Sequence, residues 1–584
     1  MLIAVLVAMR MIISLRGYLL QDDFAVRYRA ATQGWSIDYA FEPYNDHISP
    51  VGYSLQWLLQ WMFPGSHIAL VLATSVLLVI TLGCTGAFVW ILTERFVAVA
   101  ITSVVLGLGL LTFEVGTWWT VSLYSMTYLA FLAFALWALA RVLRFEAYKA
   151  GVLAGFAGAA LSDSKGFLGI IVIFGVVAGI DVTGHGRLGM RGAWQRLRWV
   201  WLSALAVSGG LIALSAWSTS GVQGSLTLAR AVRMMRDLWV VNIAPAVFGG
   251  PWWWDDVPTA GWEPTRVLPA TPGSIGFACL LLTLAGLAFV VRRRPHIAGF
   301  VPYAILYSLA TTAVPVVGRA GTALASLAYR YTYDVAVPLS ILMSLAVVPL
   351  WWQKVEARRW AWAVPVGLAV SMMVSTVAPA VAWGRNEAKD YVRRAVSGFG
   401  SIPAGHAVIP QGVPEDLVPA LLLWPYANTE AVLAPQPGAP VFGEVSPDPL
   451  LGFGAGGSLQ RQDIVGPQSL PGPDSQCGYA ITDIPRLVPL DGELIPWEFL
   501  ARVAYFSGVD TTMYVAVGGQ IHTVPLPASE LTAVSFPVAG PGREVLISIG
   551  TPGATVCVTE VRVGNRTDPD TGAVVPLVPK GLPE

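Results

Sequence analysis

Long apolar runs constrain this chain more than any other feature of its sequence. Several of them reach the 17–25 residues that a membrane-spanning helix needs. The 584-residue chain is 55% hydrophobic and only 12% charged, with a mean hydropathy of +0.61. A soluble protein of this length needs more charge to cover its surface. The sequence therefore predicts a polytopic α-helical membrane protein.

Charged breaks between the apolar runs predict eleven transmembrane helices. They cover residues 1–18, 67–92, 97–112, 120–141, 147–162, 166–180, 199–218, 274–291, 298–317, 335–352 and 361–382. No small-residue cleavage site follows the first run, which predicts an uncleaved helix. That helix is short and carries Arg10 near its middle. Arg10 is expected to pair with another helix or to reach the inner face, unless the start codon lies further upstream.

The distribution of basic residues predicts which side each loop faces. With a cytoplasmic N-terminus, the inner loops hold 14 Lys and Arg and the outer loops hold nine. The positive-inside rule then places residues 19–66 and everything after about residue 383 outside the cytoplasmic membrane. Scarce lysine and abundant Ala, Val and Gly are typical of a bacterial sequence.

The tail beyond residue 383 changes character. Residues 383–498 are rich in Pro and Gly and predict a linker or mixed subdomain. Residues 499–584 contain short alternating runs such as "TTMYVAVGG" and "EVLISIG", which predict a β-sandwich or jelly roll. Cys477 and Cys557 lie in this tail, as a disulfide or as two buried thiols. Residues 1–382 form the predicted membrane domain.

Two adjacent acids, Asp22 and Asp23, directly follow the first apolar run in "LLQDDFAVRYR". Such a doublet is a solvated helix cap in many proteins. The same outer loop continues into "EPYNDHISP", and a second outer loop, "GGPWWWDDVPTAGW", contains another acid pair with four tryptophans. Acids concentrated on one face of a membrane protein favour a reaction or binding site there.

These motifs resemble the GT-C glycosyltransferases, in which an extracytoplasmic first loop opens with an acidic doublet. The segments "YNDHISPVGY", "TWWTVSLYSMTY", "SDSKGFLG" and "YRYTYDVAVPL" are similar to the large actinobacterial branch of that superfamily. Many spans followed by an outward β-sandwich resemble cell-wall arabinofuranosyltransferases. The resemblance covers nearly the whole chain. It implies transfer of a sugar, such as arabinofuranose, from a polyprenyl-phosphate donor to a cell-envelope glycan or lipid, with a carbohydrate-binding β-domain.

The doublet suits this chemistry. Sugar transfer from a sugar phosphate needs a carboxylate that takes the proton of the acceptor hydroxyl. The resemblance implies that Asp22 is this base. Asp23 is then its helper, which stays ionised to orient the acceptor or to bind a divalent cation such as Mg²⁺, Mn²⁺ or Ca²⁺.

A lipid phosphate needs cations near the outer interface, and Lys165, Arg319 and Arg330 are the candidates. Lys165 lies between two apolar halves that are short for spanning helices, so its loop is expected to face a cavity. A self-pair between Asp163 and Lys165 is the structural alternative. Arg330 and Asp334 are four residues apart, which predicts either an intrahelical ion pair or an arginine that grips phosphate while Asp334 fixes its angle.

Four further residues are candidate substrate contacts. His47 and Asp46 follow in the first outer loop, where His47 either contacts phosphate or metal or makes an ordinary loop hydrogen bond. Trp253 and Asp255 belong to the tryptophan-rich loop, which is either an interfacial belt or a surface that stacks sugar or isoprenoid.

Several function classes are disfavoured. The net charge of the chain is zero, so it provides no overall positive electrostatic field that would attract nucleic acid. The chain contains neither a phosphate-cradling Gly-rich motif nor a zinc-ligand spacing. Two alternatives to the enzyme stay open: a transporter or flippase for lipid-linked precursors, and a non-catalytic assembly scaffold. Transporters usually carry charge at mid-membrane in repeated halves, so the outer-face acids favour the enzyme.

Overall fold

The fold was analysed in a computed structural model. It describes the chain except residues 46, 146–148, 181–188, 219–226, 257–266, 294–296, 320–324, 348–361, 569–571, 573 and 576–584. The predicted site residue Asp46, parts of three predicted inner loops and the whole of a fourth, 353–360, therefore lie outside the described residues.

The described chain is mainly helical up to residue 401. Its α-helices are α1 (Leu2–Arg16), α2 (Asp22–Thr32), α3 (Ile37–Phe41), α4 (Pro50–Met62), α5 (His67–Thr93), α6 (Phe96–Leu108), α7 (Trp119–Val121), α8 (Thr127–Phe145), α9 (Lys149–Ala160), α10 (Gly169–Gly179), α11 (Gly189–Ser218), α12 (Leu228–Asp237), α13 (Ala244–Val247), α14 (Gly273–Arg293), α15 (Val301–Arg319), α16 (Ala336–Val347), α17 (Ala363–Trp383), α18 (Ala388–Gly398), α19 (Ala420–Leu423) and α20 (Thr429–Leu433).

Each of the eleven predicted apolar segments contains a helix. Among the described residues, six stretches are long and apolar enough to cross a membrane: His67–Thr93, Trp119–Phe145, Leu197–Leu214, Gly273–Arg293, Val301–Arg319 and Ala363–Ser401. Four apolar helices are shorter: Phe96–Leu108, Lys149–Ala160, Gly166–Gly179 and Tyr333–Val347. The helical membrane architecture is confirmed, and the count of eleven crossings stays a prediction.

Arg10 anchors the first helix to the end of α6. Its Nε donates to the carbonyl of Gly107 at 2.8 Å and its Nη2 to the carbonyl of Gly109 at 2.9 Å. Both carbonyls lie at the C-terminal end of α6, where helix carbonyls run short of backbone donors, and that of Gly109 also accepts from the backbone N–H of Thr112. The guanidinium also lies over the ring of Phe113. The expected pairing of Arg10 with another helix is therefore present.

The chain divides into two compact units. The first unit contains Met1–Leu19 and Thr32–Asn386, and the second contains Leu20–Ala31 and Glu387–Glu584. Most of α2, including the acidic doublet, thus belongs to the second unit although it is encoded between two parts of the first.

The strands lie mainly in the second unit. They are β1 (Trp254–Asp256), β2 (Val267–Pro269), β3 (Ala407–Val408), β4 (Val441–Phe442), β5 (Ser446–Pro447), β6 (Leu451–Phe453), β7 (Leu459–Arg461), β8 (Asp463–Val465), β9 (Tyr479–Ile481), β10 (Arg486–Leu494), β11 (Glu498–Ser507), β12 (Thr511–Val517), β13 (Gln520–Leu526), β14 (Ser529–Ala539), β15 (Gly542–Ile549), β16 (Val556–Thr567) and β17 (Val574–Val575).

Two antiparallel sheets of the second unit share one apolar core. One sheet has the order β10-β15-β12-β13, and the other has the order β17-β16-β11-β14-β5, with β8 and β9 also paired to β16. Alternate side chains from both sheets point into the core, among them Val515, Val503 and Val561. This two-layer arrangement follows from the alternation of apolar and polar residues along each strand. The two-sheet arrangement also includes β9 and β10, which lie before residue 499, the predicted start of the β-sandwich.

A disulfide joins Cys477 to Cys557, which ties the loop before β9 to β16. This is one of the two alternatives that the sequence left open. The bond closes a long loop and so lowers the entropy of the unfolded chain.

His406 is expected to make the thermal stability of the second unit depend on pH. It is 6% exposed, its Nε2 lies 3.4 Å from Ser446 Oγ, and burial lowers its pKa below the ordinary 6.5. The unfolded chain therefore takes up this proton at a higher pH than the folded one. We expect thermal stability to fall as the pH drops from about 7 to about 5. His406→Gln should flatten that profile, whereas equal profiles for both proteins would contradict the assignment.

Candidate active site

The acidic doublet opens α2, and its two carboxylates have different surroundings. Asp23 is 1% exposed, and its Oδ2 accepts a hydrogen bond from the backbone N–H of Leu20 at 3.0 Å. Asp22 is only half-buried. Gln21, just before the doublet, adopts a left-handed conformation with φ of 48°. Non-glycine residues in this region are uncommon, and they concentrate at functional sites.

Contacts within the second unit hold the doublet helix. The backbone N–H of Gln21 donates to the carbonyl of Leu417. The hydroxyl of Tyr28 donates to Glu430 Oε1 at 2.9 Å. Burial and this carboxylate raise the pKa of Tyr28 to about 12, so the phenol keeps its proton, and with it the bond, even in moderately alkaline solution. The position of α2 is therefore fixed by residues nearly 400 positions away in sequence.

In the first unit, the predicted polar residues lie where helices are interrupted. Residues Glu114–Gly116, Gly166–Leu168, Tyr329–Tyr331 and Tyr333–Val335 form 3₁₀ turns, and Ser122–Met126 is a π-helical segment. Such interruptions release backbone groups and redirect side chains, and π segments often occur at functional sites. The loop between α9 and α10 carries Lys165, as the two short apolar halves predicted.

Lys165 belongs to a buried network. Its Nζ lies 3.0 Å from Asp334 Oδ2, with side chains 9% and 0% exposed, and 4.7 Å from the centre of the Tyr333 ring. The Tyr333 hydroxyl donates to Asp163 Oδ2 at 2.7 Å. Asp163 Oδ1 accepts from the backbone N–H of Lys165 at 2.8 Å. The network joins the loop at 163–165 to the segment at 331–334.

Arg330 lies beside a second acid, Glu114. Its Nη1 is 3.3 Å from Glu114 Oε2, and its guanidinium lies over the rings of Trp118 and Tyr331 at 5.3 and 5.2 Å. The same carboxylate accepts from the backbone N–H groups of Tyr329 and Arg330, both at 3.2 Å. Glu114 therefore holds both the turn and the side chain of Arg330.

The ion pairs differ from the two structural alternatives that the sequence left open. Arg330 pairs with Glu114 and not with Asp334, and the ammonium of Lys165 pairs with Asp334, while Asp163 accepts from the backbone N–H of Lys165. The physical reason is local backbone geometry. Thr332 leaves the helical region with φ of −125° and ψ of 5°. Arg330 and Asp334 therefore lie on separate 3₁₀ turns, and the helical face that an i, i+4 pair requires does not form.

His47 and Arg319 meet the same region of the first unit. The imidazole of His47 stacks on Tyr124 with ring centres 4.9 Å apart. Its Nδ1 lies 3.5 Å from Ser164 Oγ. Arg319 Nη2 donates to the backbone and side-chain oxygens of Asn45, both at 3.2 Å. The structure thus brings together His47, Lys165, Arg319 and Asp334 from four distant segments.

The tryptophan-rich loop forms a short hairpin of β1 and β2. Trp253 is 45% exposed, and Asp255 is exposed on β1. The neighbouring Trp254 donates from Nε1 to the carbonyl of Ser375 at 3.1 Å, and its ring centre lies 6.3 Å from that of Tyr329. The hairpin therefore reaches the turn that carries Arg330, while Trp253 and Asp255 face away from the packed side chains.

Comparisons with known proteins add the following. No family model and no curated protein matches the chain. The structure of ArnT from Cupriavidus metallidurans bound to undecaprenyl phosphate is similar over 72% of this chain and 84% of that one, with 13% identity and a TM-score of 0.41. The structure of the arabinofuranosyltransferase AftD from Mycobacteria is similar over 99% of this chain and 59% of that one, with 11% identity and a TM-score of 0.35.

These structural neighbours are GT-C glycosyltransferases.

Among the described residues, no group of three or more His, Cys, Asp or Glu side chains lies close enough to hold a metal ion.

Glu114 and Tyr333 are site residues that sequence reasoning did not single out, and Asp163 is named there only as a possible partner of Lys165. In the sequence, Glu114 is a lone acid within the apolar stretch that runs from about residue 97 to 141. An ionisable residue at such a position is a functional candidate by itself. That signal was available, whereas no sequence pattern predicts the π segment that brings Tyr124 against His47.

Proposed function

We propose that this chain is a membrane glycosyltransferase that moves a sugar from a polyprenyl-phosphate donor to a cell-envelope glycan or lipid. The observation that carries the proposal is that the adjacent residues Asp22 and Asp23 have different surroundings. Asp23 is buried and bonded to the backbone, while Asp22 is half-buried and next to a strained residue. Two adjacent acids in different surroundings can take different roles.

In the proposed reaction, an acceptor hydroxyl attacks the anomeric carbon of the donor sugar. The bond between that carbon and the phosphate oxygen breaks, and the phosphate leaves with the electron pair. Asp22 takes the hydroxyl proton as general base. Asp23 stays ionised, fixes the start of α2 and keeps the surroundings of Asp22 negative. A divalent cation beside the doublet stays an untested alternative for the role of Asp23.

Arg330 is the proposed contact for the donor phosphate. Guanidinium groups bind phosphate oxygens through paired N–H donors. The guanidinium lies over the ring of Trp118, and two buried donors, Trp118 Nε1 and the Oη of the preceding residue Tyr329, have no hydrogen-bond partner among the described residues. Buried polar groups are normally satisfied, so such donors favour a polar ligand at this position. Lys165 and Asp334 hold the segment that presents Arg330, with His47 and Arg319 as further candidate contacts.

We further propose that the donor sugar is a pentose such as arabinofuranose and that the β-sandwich of the second unit orients the acceptor. Trp253 and Asp255 are exposed and would offer an indole face and a hydroxyl acceptor to sugar or isoprenoid. The names of ArnT and AftD agree with a lipid-linked donor and a pentose, but they describe those proteins.

The proposal places the second unit outside the cytoplasmic membrane. The excess of basic residues in the predicted inner loops supports it, as does the Cys477–Cys557 disulfide, since structural disulfides persist in oxidising compartments. Alkaline phosphatase fused after residue 400 should be active in cells. A cytoplasmic reporter that is active at the same position, with an inactive phosphatase fusion, would reverse the topology.

The function is tested by incubating purified protein with a panel of polyprenyl-phosphate sugars and an acceptor glycan. We expect free polyprenyl phosphate to appear with one of these donors, together with an extended acceptor. Movement of intact donor across vesicle membranes without release of carrier would instead support the flippase. Neither transfer nor movement, with glycan bound by the second unit, would support the scaffold.

A further inference from the structure

A buried arginine in the second unit lies far in sequence from every residue of the proposed active site. Arg566 is on β16 and is fully buried, with 0% exposure. Its Nη1 donates to the carbonyl of Ile409 at 3.2 Å and to Gln411 Oε1 at 2.8 Å. One nitrogen of the guanidinium is therefore satisfied by neutral oxygens.

The other edge of this guanidinium has no such partner. Nε and Nη2 of Arg566 are buried and make no hydrogen bond to any residue that the structure describes. These two nitrogens lie on the same side of the planar group, where their N–H bonds point in parallel. This is the edge with which arginine binds anions in a two-pronged contact.

The neighbouring polar groups do not neutralise the charge. Gln411 Oε1 already accepts from Gln462 Nε2 at 3.1 Å and from the backbone N–H of Phe453 at 3.2 Å. Within the described part of the chain, no ion pair joins Arg566 to an Asp or Glu side chain. The surrounding cluster is apolar and consists of Ile409, Leu450, Ile464 and Leu500.

A charge in such surroundings needs compensation, because removing an ion from water costs far more than a neutral hydrogen bond returns. Burial lowers the pKa of Arg566 to about 9, so the group still carries its proton at neutral pH. A halide suits this edge of the guanidinium, since it carries a single negative charge and accepts two parallel N–H bonds.

We propose that the Nε/Nη2 edge of Arg566 binds a small monovalent anion such as chloride, and that this anion is part of the folded second unit. The anion would join the last long strand to the segment at 409–464, since Arg566 contacts Ile409 and Gln411 and β16 pairs with β8. The site does not depend on the proposed sugar transfer and takes no part in it.

The test is the thermal unfolding of the full-length protein in chloride and in gluconate at equal ionic strength. Ligands that bind only the folded state raise the unfolding temperature, and saturating chloride should raise it by about 5–10 °C. Bromide should act like chloride. In Arg566→Met the chloride dependence should disappear, because the apolar side chain needs no counter-ion.

Arg543→Met is the matched control, since Arg543 pairs with Glu493 in an exposed position, with side chains 75% and 62% exposed. This variant should keep the full chloride response. If Arg566→Met does not fold, broadening of the chlorine-35 resonance by wild-type protein still reports the bound anion. Equal unfolding temperatures in chloride and gluconate, without broadening, would overturn the proposal. A chloride response that persists in Arg566→Met would overturn it as well.

Discussion

Asp22→Asn is expected to lower the rate of sugar transfer by about 10²–10⁴-fold, the usual cost of losing a general base. Asparagine nearly preserves the shape of the side chain but cannot accept the hydroxyl proton. Folding should hardly change, because one of two adjacent negative charges is removed. The measurement is the initial rate with a fixed donor, with the unfolding temperature recorded on the same preparation.

A helix-capping role for Asp22 makes the opposite prediction. Asparagine caps a helix about as well as aspartate, so Asp22→Asn would stay active, and Asp22→Ala would lose about 1 kcal/mol of stability. Asp38 supplies the control, because it lies in the first turn of α3 and is exposed. Asp38→Asn should keep the wild-type rate. An active and normally folded Asp22→Asn would remove Asp22 from the mechanism.

Arg330→Ala is expected to weaken donor binding by about 10²-fold, because a charged donor to the phosphate is lost. Arg330→Lys should weaken it less, since lysine keeps the charge and loses only the fork. The measurement is a donor titration of the rate and of binding, with the two variants compared at equal folding. If both variants titrate like the wild type, Arg330 has a structural role only.

One complication is Glu114, which is 4% exposed and would lose its cationic partner in Arg330→Ala. It would still accept the two backbone N–H groups of the turn. The double variant Arg330→Ala, Glu114→Gln removes the orphaned charge and should recover stability. If the double variant also recovers donor binding, the loss in Arg330→Ala came from the orphaned acid and not from a missing phosphate contact.

The sequence predicted the helices well because apolar runs of membrane length have few alternatives. It also predicted the short halves around Lys165, since charged residues in "LSDSKGF" break the run. The alternating strands of the tail likewise led to a β-rich unit. In each case a local sequence pattern of about ten residues is enough to determine the type of secondary structure.

The candidate site could be predicted only in part. Residue types at the predicted outer face pointed to His47, Lys165, Arg319 and Asp334, and the structure brings these together in the first unit. The partners of Arg330 and Lys165 could not be predicted, because an i, i+4 rule assumes a continuous α-helix. The segment at 329–335 instead forms two 3₁₀ turns, and Glu114, more than 200 residues away in sequence, stabilises the first of them.

The acidic doublet, Asp22 and Asp23, could likewise be predicted only in part. Its adjacency predicted two acids with separate roles, but the sequence could not say which acid is buried. Asp23 is the buried one, because its carboxylate turns back to the N–H of Leu20 and α2 packs within the second unit. Such an assignment depends on tertiary packing, which no local pattern contains.

The central claim is tested most directly by carrier release from a defined donor. Wild-type protein and the Asp22→Asn, Asp23→Asn double variant are incubated with the active polyprenyl-phosphate sugar and its acceptor, and free polyprenyl phosphate is measured over time. We expect release by the wild type and a loss of at least about 10²-fold in the double variant, with donor still bound and the protein still folded. Release at the wild-type rate by a folded double variant would contradict the proposed mechanism.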